Sequence, residues 1–232
     1  MTRSVLFDTE TTGLDPRTGD RVIEIAALEL INDLPTGRHF HRLVHPERDI
    51  PAEATRVHGI TLAQLEGKPL FREIAAEMLE FMGAEDKLVA HNAPFDFGFL
   101  NWELKACGLP PLGADRMIDT LVLAKQRFPG MPNSLDALCR RFGIDLSERT
   151  SHNALLDCRL LAEVYVELTG GRQRGLSLAE GENGAALARY EARGERAARP
   201  ILVSGEEAAR HAAFLTRLKN PIWLTDETAA AE

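Results

Sequence analysis

Cysteine, tryptophan and tyrosine are scarce in this chain of 232 residues, which holds three, two and two of them. Cys107, Cys139 and Cys158 are scattered, with no C-x-x-C pair and no matching histidine spacing. That excludes a zinc finger or a disulfide framework and leaves them as small core residues of a reducing compartment. No run approaches about 18 apolar residues, and Met1 to Leu6 hold nothing like a signal-peptide core, so no membrane segment and a cytoplasmic location are expected. Positive charge is also short: 27 Lys and Arg against 35 Asp and Glu leave a net −8. This disfavours a free-standing duplex binder, which relies on many Lys and Arg contacts to phosphate. It still allows an enzyme that grips a nucleic-acid end through carboxylate-bound metal ions, with a partner supplying the basic track.

The apolar share of 44% and charged share of 27% are those of an ordinary globular protein. The length allows one α/β domain plus a tail, since single cores stop growing near ~250 residues. Ser4 to Phe7 reads as a buried strand whose end presents Asp8, and Thr11-Thr12-Gly13 breaks it. Val22 to Ile31 fits helix or strand on pattern alone; its β-branched residues and the Gly19-Asp20 turn favour a second strand, with Phe40 to Val44 as a third. Pro69 is placed to open a helix ending at Gly83. Leu88 to Ala90 reads as a strand delivering His91 and Asn92 to a loop, and Pro94 opens the next helix. Met117 and Ile118 form a strand ending at Asp119. Helices follow at 121–127, at 135–142 behind a Ser134 cap, and at 153–168, ending before Gly170-Gly171. Strands first, then strands alternating with helices, imply a mixed sheet flanked by helices.

Beyond Gly171 the texture changes. The stretch 172–200 is dense in Gly, Ala, Glu and Arg and reads as a linker, while 201–232 regains apolar content, including Pro221-Ile222-Trp223-Leu224. A segment that small would bury its apolar face on a partner.

Three short segments carry chemistry. Asp8-Thr9-Glu10 puts two carboxylates on one side of a strand, where their repulsion is relieved by a hard cation such as Mg²⁺ or Mn²⁺, although such a pair also fits plain surface acids. His91 to Asp96 places an acid in a first helical turn, which the helix dipole alone also favours. His152 and Asp157 lie five steps apart, so at ~100° per residue a joint site requires His152 to sit just off the helix start. A histidine there suits a base as well as a cap.

Taken together, Phe7 to Leu14, His91 to Leu100 and His152 to Asp157 resemble the three exo motifs of the DEDDh 3′→5′ exonuclease superfamily. The resemblance covers 1–171, and within the superfamily it is strongest to the epsilon-type proofreading subunits of bacterial DNA polymerase III. Val57-His58-Gly59-Ile60, Asn133-Ser134-Leu135-Asp136 and Thr169-Gly170-Gly171 share in it. It implies an α/β, RNase H-like mixed five-stranded sheet flanked by helices with a flexible C-terminal tail. It further implies that Asp8, Glu10, Asp96 and Asp157 hold two divalent ions, Mg²⁺ or Mn²⁺, and that His152 is the general base. Asn153 stands where the tyrosine branch carries its base. Around these, Leu14 and Phe95 would pack on the terminal base, with Thr11, Glu53 and His58 near its sugar and Asn92 among the substrate contacts.

The partners implied are a DNA 3′ end, the polymerase catalytic (alpha) subunit through 201–232, and the sliding clamp through 173–178. Gln173-Arg174-Gly175-Leu176-Ser177-Leu178 lacks the final Phe of such clamp-binding peptides. Two other readings remain open at this point: a stand-alone DEDDh exonuclease acting on RNA or DNA repair intermediates, and a non-catalytic replisome scaffold.

Overall fold

The computed structural model describes residues 2–147, 149, 151–170 and 203–219. The chain divides into two compact units, Met1–Ser177 and Leu178–Glu232. In the first, β1 (Arg3–Thr11), β2 (Val22–Ile31), β3 (Leu34–Leu43), β4 (Lys87–Ala90) and β5 (Met117–Asp119) form one sheet in the order β3-β2-β1-β4-β5. β1–β2 and β2–β3 pair antiparallel, whereas β1–β4 and β4–β5 pair parallel. The sheet is therefore mixed and five-stranded, as the resemblance implies.

Two strands run beyond the expected limits. β1 continues through Asp8 and Glu10 to Thr11, because β2 keeps pairing with it as far as Val22. β3 begins at Leu34, well before Phe40, behind a two-residue turn in which Asn32 and Asp33 adopt φ of 52° and 66°. Its first half, Pro35-Thr36-Gly37-Arg38-His39, is an exposed edge without apolar alternation, so the strand period is invisible there. Pro35 is tolerable at such a position because an edge strand has one side free of ladder bonds.

Period-two alternation sorts the core. Val5, Phe7, Ile25, Ala27, Leu88 and Ala90 face one side, where α3 (Phe71–Met82) and α4 (Ala93–Ala106) cover them. Leu6, Ala26, Leu28 and Val89 face the other, under α5 (Thr120–Arg127), α6 (Leu135–Phe142) and α7 (Ala154–Leu168). α7 lays Ala154, Cys158, Leu161 and Tyr165 on the sheet at helical spacing. Each large side chain so buried contributes roughly 1.5–3 kcal/mol. α3 starts at Phe71 with no side-chain bond from its N-cap Leu70; Glu73 reaches back to the Leu70 backbone N–H at 2.7 Å, so Pro69 precedes the helix without opening it. Two short helices, α1 (Ala52–His58) and α2 (Leu62–Leu65), bridge β3 to α3.

In the second unit, α8 (Gly205–Leu215) is capped by Ser204 and Glu207, which bond to each other's backbone N–H groups. The proposed linker 172–200, the clamp-type peptide 173–178 and the cluster 221–224 lie outside the described residues. Among the described residues no helix is long and apolar enough to cross a membrane.

Candidate active site

The site grows from the last residues of β1. Leu6 packs toward α7, so Asp8 and Glu10, two and four residues on, project to the same side, while Thr9 faces α4. Glu24 of β2 stands opposite Glu10, and the register shifts just beyond, between Glu10 and Thr11. The Thr11 hydroxyl then donates to the Gly13 carbonyl at 2.6 Å. A Cβ on Gly13 would fall 2.2 Å from the Asp20 carboxylate, so a larger residue in this turn would have to displace the Asp20 side chain. The turn leaves Leu14 84% exposed, which excludes it from the core.

Asp96 arrives from the first turn of α4, after Asn92 reverses the chain at φ 65°. The Thr9 backbone N–H and hydroxyl donate to Asp96 Oδ1 at 3.0 and 2.6 Å, locking β1 to α4 at the acids. Asn92 itself is held through its backbone N–H by Asp119 Oδ1 at 3.0 Å, and the His91 ring pairs with Thr120 Oγ1 at 2.8 Å.

Asp157 lies in the first turn of α7, and Asn153 caps that helix in extended geometry. His152 precedes the cap, off the helix as the five-residue spacing requires, and its backbone N–H donates to the Val57 carbonyl at 3.1 Å. Its Nδ1 lies 3.3 Å from Asp157 Oδ2. Glu24 anchors the same helix start by accepting from Asn153 Nδ2 at 3.0 Å and the Ala154 N–H at 3.2 Å. Arg149 grips Asp157 through Nε–Oδ1 at 2.6 Å and Nη2–Oδ2 at 2.7 Å.

The carboxyls divide electrostatically. Burial, and then repulsion from Asp96, Glu10 and Asp157, push Asp8 well above the usual carboxylate range. Burial raises Glu10 to about 8 against the pull of His152, and raises Asp96 to about 7 against its Thr9 hydrogen bonds. Burial would raise Asp157 too, but the Arg149 and His152 contacts hold it below its ordinary value. His152 is raised, chiefly by the close approach of its ring to the Asp157 carboxylate. Crowded all-oxygen donors with unbalanced negative charge are the chemistry that a hard divalent cation satisfies. Glu10, His152 and Asp157 also bring one ligand atom each within 4.8 Å of one another, a group that could hold a metal ion.

Beside these acids is a cavity of about 580 Å³ lined by Glu10, Thr11, Leu14, Glu53, His58 and Phe95, among others. Phe95 lines it while packing on Phe99, with ring centroids 4.9 Å apart, so it serves core and cavity together. Glu53 is exposed, and Asn92 is not in the lining. His58 is buried and accepts from the Ile60 N–H at Nδ1, which puts its proton on Nε2, an atom with no partner. An acceptor brought within reach of it would satisfy it. Three functional neighbours escaped the sequence reading: Thr9, Glu24 and Arg149. The intervening threonine of Asp-Thr-Glu hinted at the first, and a carboxylate inside an otherwise apolar strand at the second; nothing marked Arg149.

With this geometry in view, similarity to known proteins becomes specific. The RNase_T family profile, described as an exonuclease, matches residues 5–165. The DNA polymerase III subunit epsilon of Rickettsia felis is 47% identical over 93% of this chain and 96% of its own length, and that of Escherichia coli K12 is 41% identical over 93% of each. Among solved structures, exonuclease X in complex with 5′-overhanging duplex DNA matches with a TM-score of 0.58 at 29% identity, over 73% of this chain and 92% of its own. The fold is also that of the E. coli exonuclease I–single-stranded DNA complex, with a TM-score of 0.64 at 20% identity over 75% and 41%. On fold, exo motifs and identity alike, the chain belongs to the RNase_T exonuclease family, with the RNase H-like DEDDh architecture, and to its DNA polymerase III epsilon branch.

Proposed function

We propose that this chain is the 3′→5′ proofreading exonuclease of a bacterial replicative polymerase, removing mispaired 3′-terminal nucleotides as 5′-mononucleotides. The observation that carries the reading is the gathering of Asp8, Glu10, Asp96 and Asp157 beside one imidazole and one cavity, with three of the four driven above their normal pKa, first by burial and at Asp8 and Glu10 also by the neighbouring acids. Those four carboxylates would hold two divalent ions, Mg²⁺ or Mn²⁺, which supply a clamp on attacking and leaving oxygens and offset charge on the phosphoryl group. His152 takes the proton of the attacking water, for which its ring must be neutral. Leu14 and Phe95 pack on the terminal base, a contact that tolerates any base. His58, Thr11 and Glu53 line the cavity and would meet the sugar end. Frayed or mispaired termini enter most easily because their unpairing is already cheap.

The polymerase setting is supported by alignment to the epsilon subunits across 93% of the chain, whereas exonuclease X spans 73%. Within 203–219, Val203 and Phe214 expose apolar surface that suits docking of 201–232 on the catalytic subunit. Contact with the sliding clamp through 173–178 and a cytoplasmic location complete the reading. A scaffold role alone would leave the mutually repelling carboxyls without a purpose.

The test is digestion of 3′-labelled DNA and RNA strands, matched and mismatched, by the purified chain with Mg²⁺. Asp157→Ala should abolish nucleotide release while circular dichroism stays unchanged; retained release would remove the proposed site. Deleting 201–232 should leave digestion intact and end co-elution with the polymerase subunit, and persistent co-elution would refute the docking assignment.

A further inference from the structure

Arg149 lies in the connection between α6 and α7, in neither helix, and its side chain is 9% exposed. All of its guanidinium nitrogens are engaged. Nε and Nη2 hold the two oxygens of Asp157, Nη1 holds Asp136 Oδ1 at 2.5 Å, and Nη2 also lies 2.9 Å from His152 Nδ1. Asp136 is 40% exposed on its side chain, so the fork runs from the surface inward to the acid.

Two physical consequences follow. A guanidinium bound to both oxygens of Asp157 brings a fixed positive charge to the place where a divalent cation would sit, so the two compete by contact and by like-charge repulsion. Moreover, His152 Nδ1 faces a donor-only guanidinium at 2.9 Å and an acceptor-only carboxylate at 3.3 Å and cannot serve both. With Arg149 in place Nδ1 accepts and the neutral ring carries its proton on Nε2. With Arg149 withdrawn, Nδ1–H turns to Asp157 and Nε2 is left with a lone pair, the form able to take a proton from water.

We infer that Arg149 is a positioning residue that competes with a divalent cation for Asp157 and sets the His152 tautomer, its hold on Asp136 retaining it when Asp157 passes to the cation. This rests on the divalent-ion reading of the site given above. The role differs from plain structural support in one measurable respect: the same contact that steadies Asp157 opposes cation binding.

The experiment measures Mn²⁺ affinity of the full chain by paramagnetic resonance of free Mn²⁺, for wild type, Arg149→Ala and Arg149→Gln, with melting temperatures in chelator alongside. Both variants should melt lower in chelator yet bind Mn²⁺ about tenfold more tightly, the factor that corresponds to ~1.4 kcal/mol of lost competition. In ¹⁵N spectra with and without Mg²⁺, the wild-type His152 tautomer should switch on Mg²⁺ addition, and that of Arg149→Gln should already be switched. Unchanged or weaker Mn²⁺ affinity in the variants overturns the inference and marks Arg149 as structural. Should Arg149→Ala not fold, Arg149→Gln, which keeps a hydrogen-bond donor without the charge, decides alone. Failure of the wild type itself to bind Mn²⁺ would instead sink the underlying reading of the site.

Discussion

The two halves of the site use the same residue types under opposite electrostatic regimes. Asp8 and Glu10 of β1 and Asp96 of α4 are all pushed up, chiefly by burial, although the His152 charge opposes it at Glu10 and the Thr9 donors oppose it at Asp96. On the α7 side, Asp157 is equally enclosed, yet Arg149 and His152 hold it down. Burial is common to both, so the neighbouring charge decides. A carboxylate cluster can thus be half neutralised by the protein itself while the other half awaits an external cation.

The sharpest way to break this contrast is Asp8→Asn. Losing a ligand for the divalent ions should lower the exonuclease rate by at least about a thousandfold, roughly the ~4 kcal/mol that such charge stabilisation supplies to the transition state. In chelator the same variant should melt no lower than wild type, because one of the mutually repelling carboxyls has gone. Gel assay and calorimetry on one preparation test both halves of the statement. A drop in melting temperature in chelator would show that Asp8 is stabilised by its surroundings and that the contrast is mistaken.

A second test uses pH. Glu10 and Asp96 have folded values near 8 and 7, above their ordinary 4.5 and 3.8, so the stability they contribute is complete below those ordinary values and is lost as pH rises through the folded ones. In chelator, then, stability should decline between about pH 4 and pH 8 by an amount on the order of a few kcal/mol, and saturating Mg²⁺ should flatten the slope. Asp157, lowered, behaves inversely: its contribution is present above its ordinary value and disappears only as pH falls through the depressed one. Melting curves across this range, with Glu10→Gln as comparison, measure the slope; an equal slope in that variant would remove Glu10 from the account.

How much of this was legible in the sequence follows from where the information sits. The strand β2, read from its β-branched residues and the turn before it, and the helices α5, α6 and α7 have observed limits within a residue or so of those read from the sequence. The first half of β3 carries no such pattern, because edge pairing through Pro35 to His39 is decided by the Asn32-Asp33 turn and not by burial. Asp8, Glu10, Asp96, Asp157 and His152 stood out through motif spacing. Their partners did not: Glu24 reaches Ala154 across 130 positions and Thr9 reaches Asp96 across 87, contacts that only the folded sheet reveals. Arg149 was invisible for another reason, since a lone arginine in a connection looks like any solvated charge until its fork is seen closed on Asp157.

The mildest perturbation is Thr9→Val, which keeps the shape and the backbone N–H donor to Asp96 but deletes the hydroxyl that donates at 2.6 Å. Asp96 then loses one of the three hydrogen bonds that oppose its burial, so its folded pKa climbs further above about 7. More of it is protonated at neutral pH, and a protonated carboxyl is a poor ligand for a hard cation. Activity at pH 7 should fall by roughly 10- to 100-fold, the range seen when a group supporting a metal ligand is removed. The loss should shrink as pH or Mg²⁺ concentration is raised, because either one restores the ionised form. The rate–pH profile is the decisive measurement: a profile displaced upward in pH places the effect on Asp96, whereas a uniform loss at every pH would mean that Thr9 acts only by packing, and the β1–α4 half of the contrast would then rest on burial alone.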